Sequence, residues 1–81
     1  MPKIKVLSGT DIIKILKSFD FEIQNQKGSH VKLKRLSEHK IKQTLIVPNH
    51  SEIDIGTLKA IYRQAIKYIQ EEELHQHFYS D

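Results

Sequence analysis

The chain reads as an α+β domain: an α-β-β-β-α two-layer sandwich whose three-stranded antiparallel sheet carries both helices on one face. Three observations predict this. A capping-box sequence precedes helically spaced apolar residues near the start, the period changes to two from Phe21, and helical spacing returns after Asp54. Each element buries an apolar side that only the opposite layer can cover.

Ser8-Gly9-Thr10-Asp11 has the S-x-x-[DE] form of a capping box, and Ile12, Ile13, Leu16 and Phe19 follow at helical spacing, which predicts a helix over residues 9–18. From Phe21 the alternation predicts a half-buried strand with Phe21, Ile23 and Asn25 on one side and Glu22, Gln24 and Gln26 on the other. Gly28 supplies the turn. In the second strand Val31 and Leu33 alternate with His30, Lys32 and Lys34, so the side opposite the core carries positive charge. Ser37-Glu38-His39-Lys40 is a polar connection, and His39 within it reads as a solvated residue. Thr44 to Val47 is a third, β-branched strand stopped by Pro48. Asp54 is the expected N-cap of a last helix starting near Gly56, in which Leu58, Ile61, Tyr62, Ala65, Ile66 and Ile69 form one continuous apolar face. Lys59, Arg63 and Lys67 make a cationic stripe beside it.

An 81-residue chain holds one domain with one modest core. No apolar run is long enough for a membrane span, and no apolar signal core follows the basic first residues, so a cytoplasmic protein without membrane association is expected. The absence of cysteine excludes disulfides, thiolate metal sites and thiol nucleophiles. The net charge is +3, but residues 27–42 hold Lys27, Lys32, Lys34, Arg35, Lys40 and Lys42 against Glu38 alone. Such a cluster is either a solvated face or a surface for a polyanion.

Three segments carry a resemblance: Gln26-Lys27-Gly28-Ser29-His30 on the first hairpin, Pro48-Asn49-His50 after the third strand, and Gly56-Thr57-Leu58-Lys59-Ala60-Ile61-Tyr62-Arg63-Gln64 opening the last helix. Together they resemble the HicA-type, or YcfA-like, toxins over about Ser8 to Ala65. The resemblance implies a fold similar to a double-stranded-RNA-binding domain, endoribonuclease activity on mRNA, and an antitoxin partner of HicB type. It places the family's catalytic histidine on His30. Residues 1–70 then form the HicA-like domain and residues 71–81 a C-terminal extension.

The residues suit that chemistry. RNA is cut when the neighbouring 2′-hydroxyl attacks phosphorus, which takes a base, an acid and cations for the developing charge, and needs no metal or other cofactor. Histidine, with a reference pKa of about 6.5, serves as either base or acid. Gly28 lets the backbone approach the sugar-phosphate, the Ser29 hydroxyl orients the ring or donates to a phosphate oxygen, and Lys27 and Lys32 supply charge. The start of the last helix, with Thr57 and Lys59, offers unpaired N–H groups to a phosphate. Lys34 and Arg63 extend the expected RNA surface.

His50 has two readings: a second proton-transfer group near the hairpin, or a loop histidine that caps the last helix or hydrogen-bonds to backbone. His75-Gln76-His77 does not read as a metal site, because rings two residues apart leave opposite sides of a helix and no further ligand is spaced to join them. Phe78 and Tyr79 either dock on the core or another subunit, or belong to a frayed acidic tail. Two other function classes share the basic face: a non-catalytic RNA-binding module, and a regulatory subunit that engages an acidic protein.

Overall fold

A computed structural model describes residues 2–80. Its elements are β1 (Lys3–Ile4), α1 (Gly9–Ser18), β2 (Glu22–Lys27), β3 (His30–Leu36), β4 (Lys42–Pro48), α2 (Ile55–Ala65), α3 (Glu71–Phe78) and β5 (Tyr79–Ser80). Strands β2, β3 and β4 form one antiparallel sheet in that order, and β1 pairs antiparallel with β5 in a separate ribbon. The α-β-β-β-α order is therefore present, with a third helix and a terminal ribbon added to it.

Local chemistry sets where α1 and α2 begin. The Ser8 hydroxyl accepts the Asp11 N–H at 3.0 Å while the Asp11 carboxylate accepts the Ser8 N–H at 2.9 Å, a complete capping box. Asp54 accepts the Thr57 N–H at 3.0 Å and the Thr57 hydroxyl at 2.8 Å. These hydrogen bonds hold both aspartates below the usual carboxylate range.

Val31 and Leu33 of β3 stand opposite Val47 and Leu45 of β4, and all four are buried with Ile12, Leu16, Leu58 and Ala65 of the helices in one cluster. The alternate residues, His30, Lys32 and Lys34 against Pro48, Ile46 and Thr44, point to the other face. The strands run further than expected: β3 extends to Leu36 and β4 starts at Lys42, so the polar connection is a hairpin loop closed by Ser37 N–H to Ile41 O at 2.9 Å.

Two expectations about β2 are corrected. Every residue of β2 is exposed, because the helices cover β3 and β4 while β2 overhangs as a sheet edge; the buried anchor is Phe21, just before it. The register also shifts between Ile23 and Asn25, so Gln24 is an extra residue in a β-bulge. Ile23 pairs with inward-facing Leu33, but Asn25 pairs with outward-facing Lys32, and Asn25 therefore leaves the side it was expected to share with Phe21 and Ile23.

The last helix is also shorter than its apolar face suggests. It ends at Ala65, and Lys67 N–H to Gln64 O (3.2 Å) and Tyr68 N–H to Ala65 O (2.9 Å) tighten the chain into a turn. Arg35 supplies the reason. It shares the inward side of β3 with Val31 and Leu33, and its guanidinium donates to Tyr68 O at 2.6 Å, Phe19 O at 2.9 Å and Gln43 Oε1 at 2.7 Å, with Cζ lying 4.8 Å from the Phe21 ring centre. A continuous helix would aim the Tyr68 carbonyl along its own axis at an N–H four residues on, rather than across at Arg35. Arg35 is thus a clamp at the end of the core and not part of the exposed cationic surface.

Beyond the turn, Ile69 is buried and α3 docks with Leu74 and Phe78 at 0% exposure. Burial of each such side chain contributes roughly 1.5–3 kcal/mol. Tyr62 packs edge-on against Phe78 and Tyr79 and donates to Glu71 at 3.0 Å; burial and that carboxylate push its hydroxyl up to about 12. Lys5 N–H to Phe78 O at 2.8 Å continues the terminal ribbon. Of the two readings of this segment, the docked one describes the structure.

Two outcomes follow for stability. Arg35→Ala should cost about 2–4 kcal/mol in urea unfolding, since it orphans two carbonyls, and Arg35→Lys should recover little because one ammonium cannot span three acceptors; a loss below about 1 kcal/mol would contradict the clamp. The caps of α1 and α2 contribute fully above the unfolded carboxylate value of about 3.9 and lose that contribution as pH falls through their lowered folded values. Asp54→Asn, which keeps a neutral acceptor, should therefore show a shallower fall of Tm on acidification below about pH 4 than the parent protein.

Candidate functional site

His30 opens β3 immediately after a two-residue turn. Lys27 pairs with His30 across Gly28-Ser29, and Gly28 has φ +57° while Ser29 does not enter the positive region, the sign pattern of a type II′ hairpin turn. A side chain at Gly28 would meet nothing within 4 Å, so this glycine serves backbone conformation, and the space beside the turn is open. Gln26 Nε2 donates to Gly28 O at 2.9 Å, bracing the turn.

The other side of His30 is fixed by β4. His30 pairs with Pro48, and the next backbone amide, Asn49 N–H, donates to Ser29 O. The Pro48-Asn49-His50 loop is in turn held on α1: Gly9 N–H donates to His50 O at 2.8 Å, and the Thr10 hydroxyl to Asn49 Oδ1 at 3.3 Å. A Cβ on Gly9 would lie 2.5 Å from Pro48 O and 2.6 Å from Asn49 Cα. Glycine is required there by close approach, a role that the capping-box pattern did not reveal.

His30 is exposed and takes part in two adjoining depressions. One, of about 190 Å³, is lined by Asn25, Lys27, His30, Lys32 and Ile46. The other, of about 420 Å³, runs between β4 and α2. Lys27 lies directly across from His30 on one side, as Pro48 does on the other, and Lys32 follows it by two residues on the same face, so both lysines are its neighbours on the outward side of the sheet. Between the bulge at Gln24 and the turn, Asn25 and Lys27 both lie on that side. Lys34 is one row further away, paired with Glu22 and Thr44.

The remaining expected residues are distributed less tightly. Thr57 lines the larger groove, but its N–H and hydroxyl are both taken by Asp54, so the first turn of α2 already holds a carboxylate where a phosphate was expected. Lys59 and Arg63 are exposed on α2 and line neither depression; with ~3.6 residues per turn they sit away from the side that carries Thr57, Ala60 and Gln64. His50 is exposed and lines neither depression, and its described hydrogen bonds come from backbone, His50 N–H to Pro48 O at 3.0 Å and the carbonyl to Gly9. His75 stacks on Tyr79 with ring centres 4.7 Å apart, and His77 meets Phe19 edge-on at 5.5 Å. Among the described residues no group of three or more His, Cys, Asp or Glu side chains is arranged to hold a metal ion, and no helix is long and apolar enough to cross a membrane.

A histidine flanked by two lysines on an open sheet face can exchange a proton with a bound anion while the ammonium groups offset the anion's charge. Thr44, Ile46, Ala60, Ile61 and Gln64, which sequence reasoning had not marked, complete the surroundings. Their signal was faint: Thr44 and Ile46 are simply the outward positions of β4, and Ala60 and Gln64 border the apolar stripe of α2.

Neither a curated protein nor a solved structure matches the chain. The family model described as HicA toxin of bacterial toxin-antitoxin matches residues 9–66, from the start of α1 to the turn after α2, and so includes the whole sheet and both depressions. The chain belongs to the HicA toxin family, the toxins of bacterial toxin–antitoxin pairs, and has an antitoxin as its implied partner.

Proposed function

We propose that the protein is an endoribonuclease that cleaves mRNA in the cytoplasm without a metal, with His30 as the proton-transferring group, and that a HicB-type antitoxin silences it. One observation carries this reading above the others: His30 is exposed and shares a depression with Lys27 and Lys32. An imidazole enclosed in the apolar layer, or remote from the cations, could not serve.

In the reaction the 2′-oxygen attacks the adjacent phosphorus as its proton leaves to a base, and the 5′-oxygen departs with a proton from an acid. The products are a 2′,3′-cyclic phosphate and a 5′-hydroxyl. His30 performs one of the two transfers. Lys27 and Lys32 stabilise the charge that builds on the non-bridging oxygens, an interaction that strengthens in the transition state. Gly28 and Ser29 form the open turn that leads into His30, and Lys34 continues the positive surface along β3. Lys59 and Arg63 then serve a more distant part of a bound RNA, and Thr57 borders it from the groove next to His30. An internal nucleophile supplies its own oxygen, which is why no metal is invoked.

The test is incubation of the purified protein with RNA in the presence of a chelator. His30→Ala should lower cutting by about 100-fold or more with an unchanged far-UV spectrum and Tm, as expected for an exposed side chain. His50→Ala should retain most of the rate; a comparable loss would make it the second proton-transfer group. RNA retained by the protein but never cut, with retention weakening as salt rises, would instead identify a binding module on the same face.

A further inference from the structure

The larger groove beside His30 differs from the smaller one in charge and chemistry. The small depression contains two lysines, whereas the groove between β4 and α2 contains none; apart from His30 its lining is neutral. Ile46 and Ile61 give it apolar walls, and Pro48 lies at the His30 end. Its volume of about 420 Å³ falls in the ordinary range for a small-ligand pocket, roughly 300–1,000 Å³, and its mix of apolar walls with a few polar groups is typical of one.

Three side chains give the groove a polar pattern. The Thr57 hydroxyl donates to Asp54 and so offers the groove only its acceptor lone pairs. Thr44 and Gln64 make no side-chain hydrogen bond among those described, and each presents both a donor and an acceptor. His30 and Ile46 are shared by both depressions, so a ligand with an anionic and a flat neutral part can lie across them. The anion then rests on Lys27 and Lys32 and the neutral part enters the groove. A nucleotide has that division, and unpaired RNA bases are commonly held by apolar or flat surfaces with hydrogen bonds to their edges.

We propose that this groove is a subsite for an unpaired nucleobase next to the scissile phosphate, read by the Gln64 amide and the Thr44 hydroxyl. This rests on the nuclease reading for its link to cleavage, but not for binding. An amide offers a donor and an acceptor side by side, and on the Hoogsteen edge of a base adenine alone sets a donor, N6–H, beside an acceptor, N7, so the subsite reads adenine from that edge. The subsite makes Gln64 a specificity-determining residue at one position beside the cut.

Two measurements test it. In the first, a random-sequence RNA pool is cut by the parent protein, Gln64→Leu and Thr44→Val, and the new ends are mapped. The parent should favour adenine at one flanking position by about tenfold, and Gln64→Leu should flatten that preference. In the second, short oligonucleotides made uncleavable by a 2′-deoxy sugar, differing only in that base, are titrated into labelled protein. The backbone amide signals of Thr44, Ala60 and Gln64 should move most with adenine and little in Gln64→Leu. Cutting with the same preference in Gln64→Leu, or with none in the parent, overturns the subsite and leaves the nuclease standing. Base-dependent shifts without any cutting overturn the nuclease and leave the subsite standing, and groove signals that stay still with every base overturn the subsite whatever the RNA does.

Discussion

The guanidinium of Arg35 is the point at which three separate pieces of this small core are joined. Its acceptors are the carbonyl after α1, the carbonyl in the turn after α2, and the Gln43 amide on β4, and Phe21 lies under its charge. Carbonyls at helix C-terminal ends carry partial negative charge, so one cation answers two helix ends at once. Without that donor the two carbonyls would be drawn into a partly dry layer with nothing to bond, and the turn that ends α2 would lose its reason. The docking of Ile69, Leu74 and Phe78 depends on that turn, because a helix continued straight on would carry them past the core. Stability and chain path are therefore set by the same hydrogen bonds.

The two faces of the sheet separate the packed core from the proposed site. On the inward face Val31, Leu33, Leu45 and Val47 are closed over by helices. On the outward face, which no helix covers, His30, Lys27, Lys32, Ile46 and Thr44 stand where their substitution disturbs packing least. Rigidity still reaches them: His30, Lys32, Ile46 and Thr44 are each one residue from a buried neighbour on the same strand, and Lys27 is paired with His30. The Pro48–His50 loop adds a second support: it is held to the hairpin by Ser29 and to α1 by Gly9, so the ring of His30 is set between two anchored turns rather than on a free tip.

How much of this was legible depends on the range of the physics involved. The starts of α1 and α2, the turn at Gly28 and the outward phase of His30, Lys32 and Lys34 follow from residues within four positions of each other, and they read correctly from sequence. The end of α2 did not, since Ile66 and Ile69 keep the helical spacing and only Arg35, more than thirty residues earlier, explains the break. Arg35 looked like one more charge in a basic run, although its phase with Val31 and Leu33 held the clue. The exposure of β2 was illegible for a related reason: its alternation resembles a half-buried strand, and only the placement of the helices shows that nothing covers it. The groove residues belong to this non-local class, because β4 and α2 border each other only after folding.

The bulge at Gln24 carries a consequence of its own. In a pleated strand, odd and even positions look to opposite sides, so one surplus residue exchanges the roles of everything that follows it up to the turn. The two-residue turn sets Lys27 opposite His30, and the surplus residue lets Phe21 and Ile23, an even number of positions earlier, still lie on the core side. For a chain of this design, strand length and side-chain phase are uncoupled: a deletion of that one neutral glutamine would remove the bulge and leave every cross-strand pair, Lys27 with His30 included, where it stands.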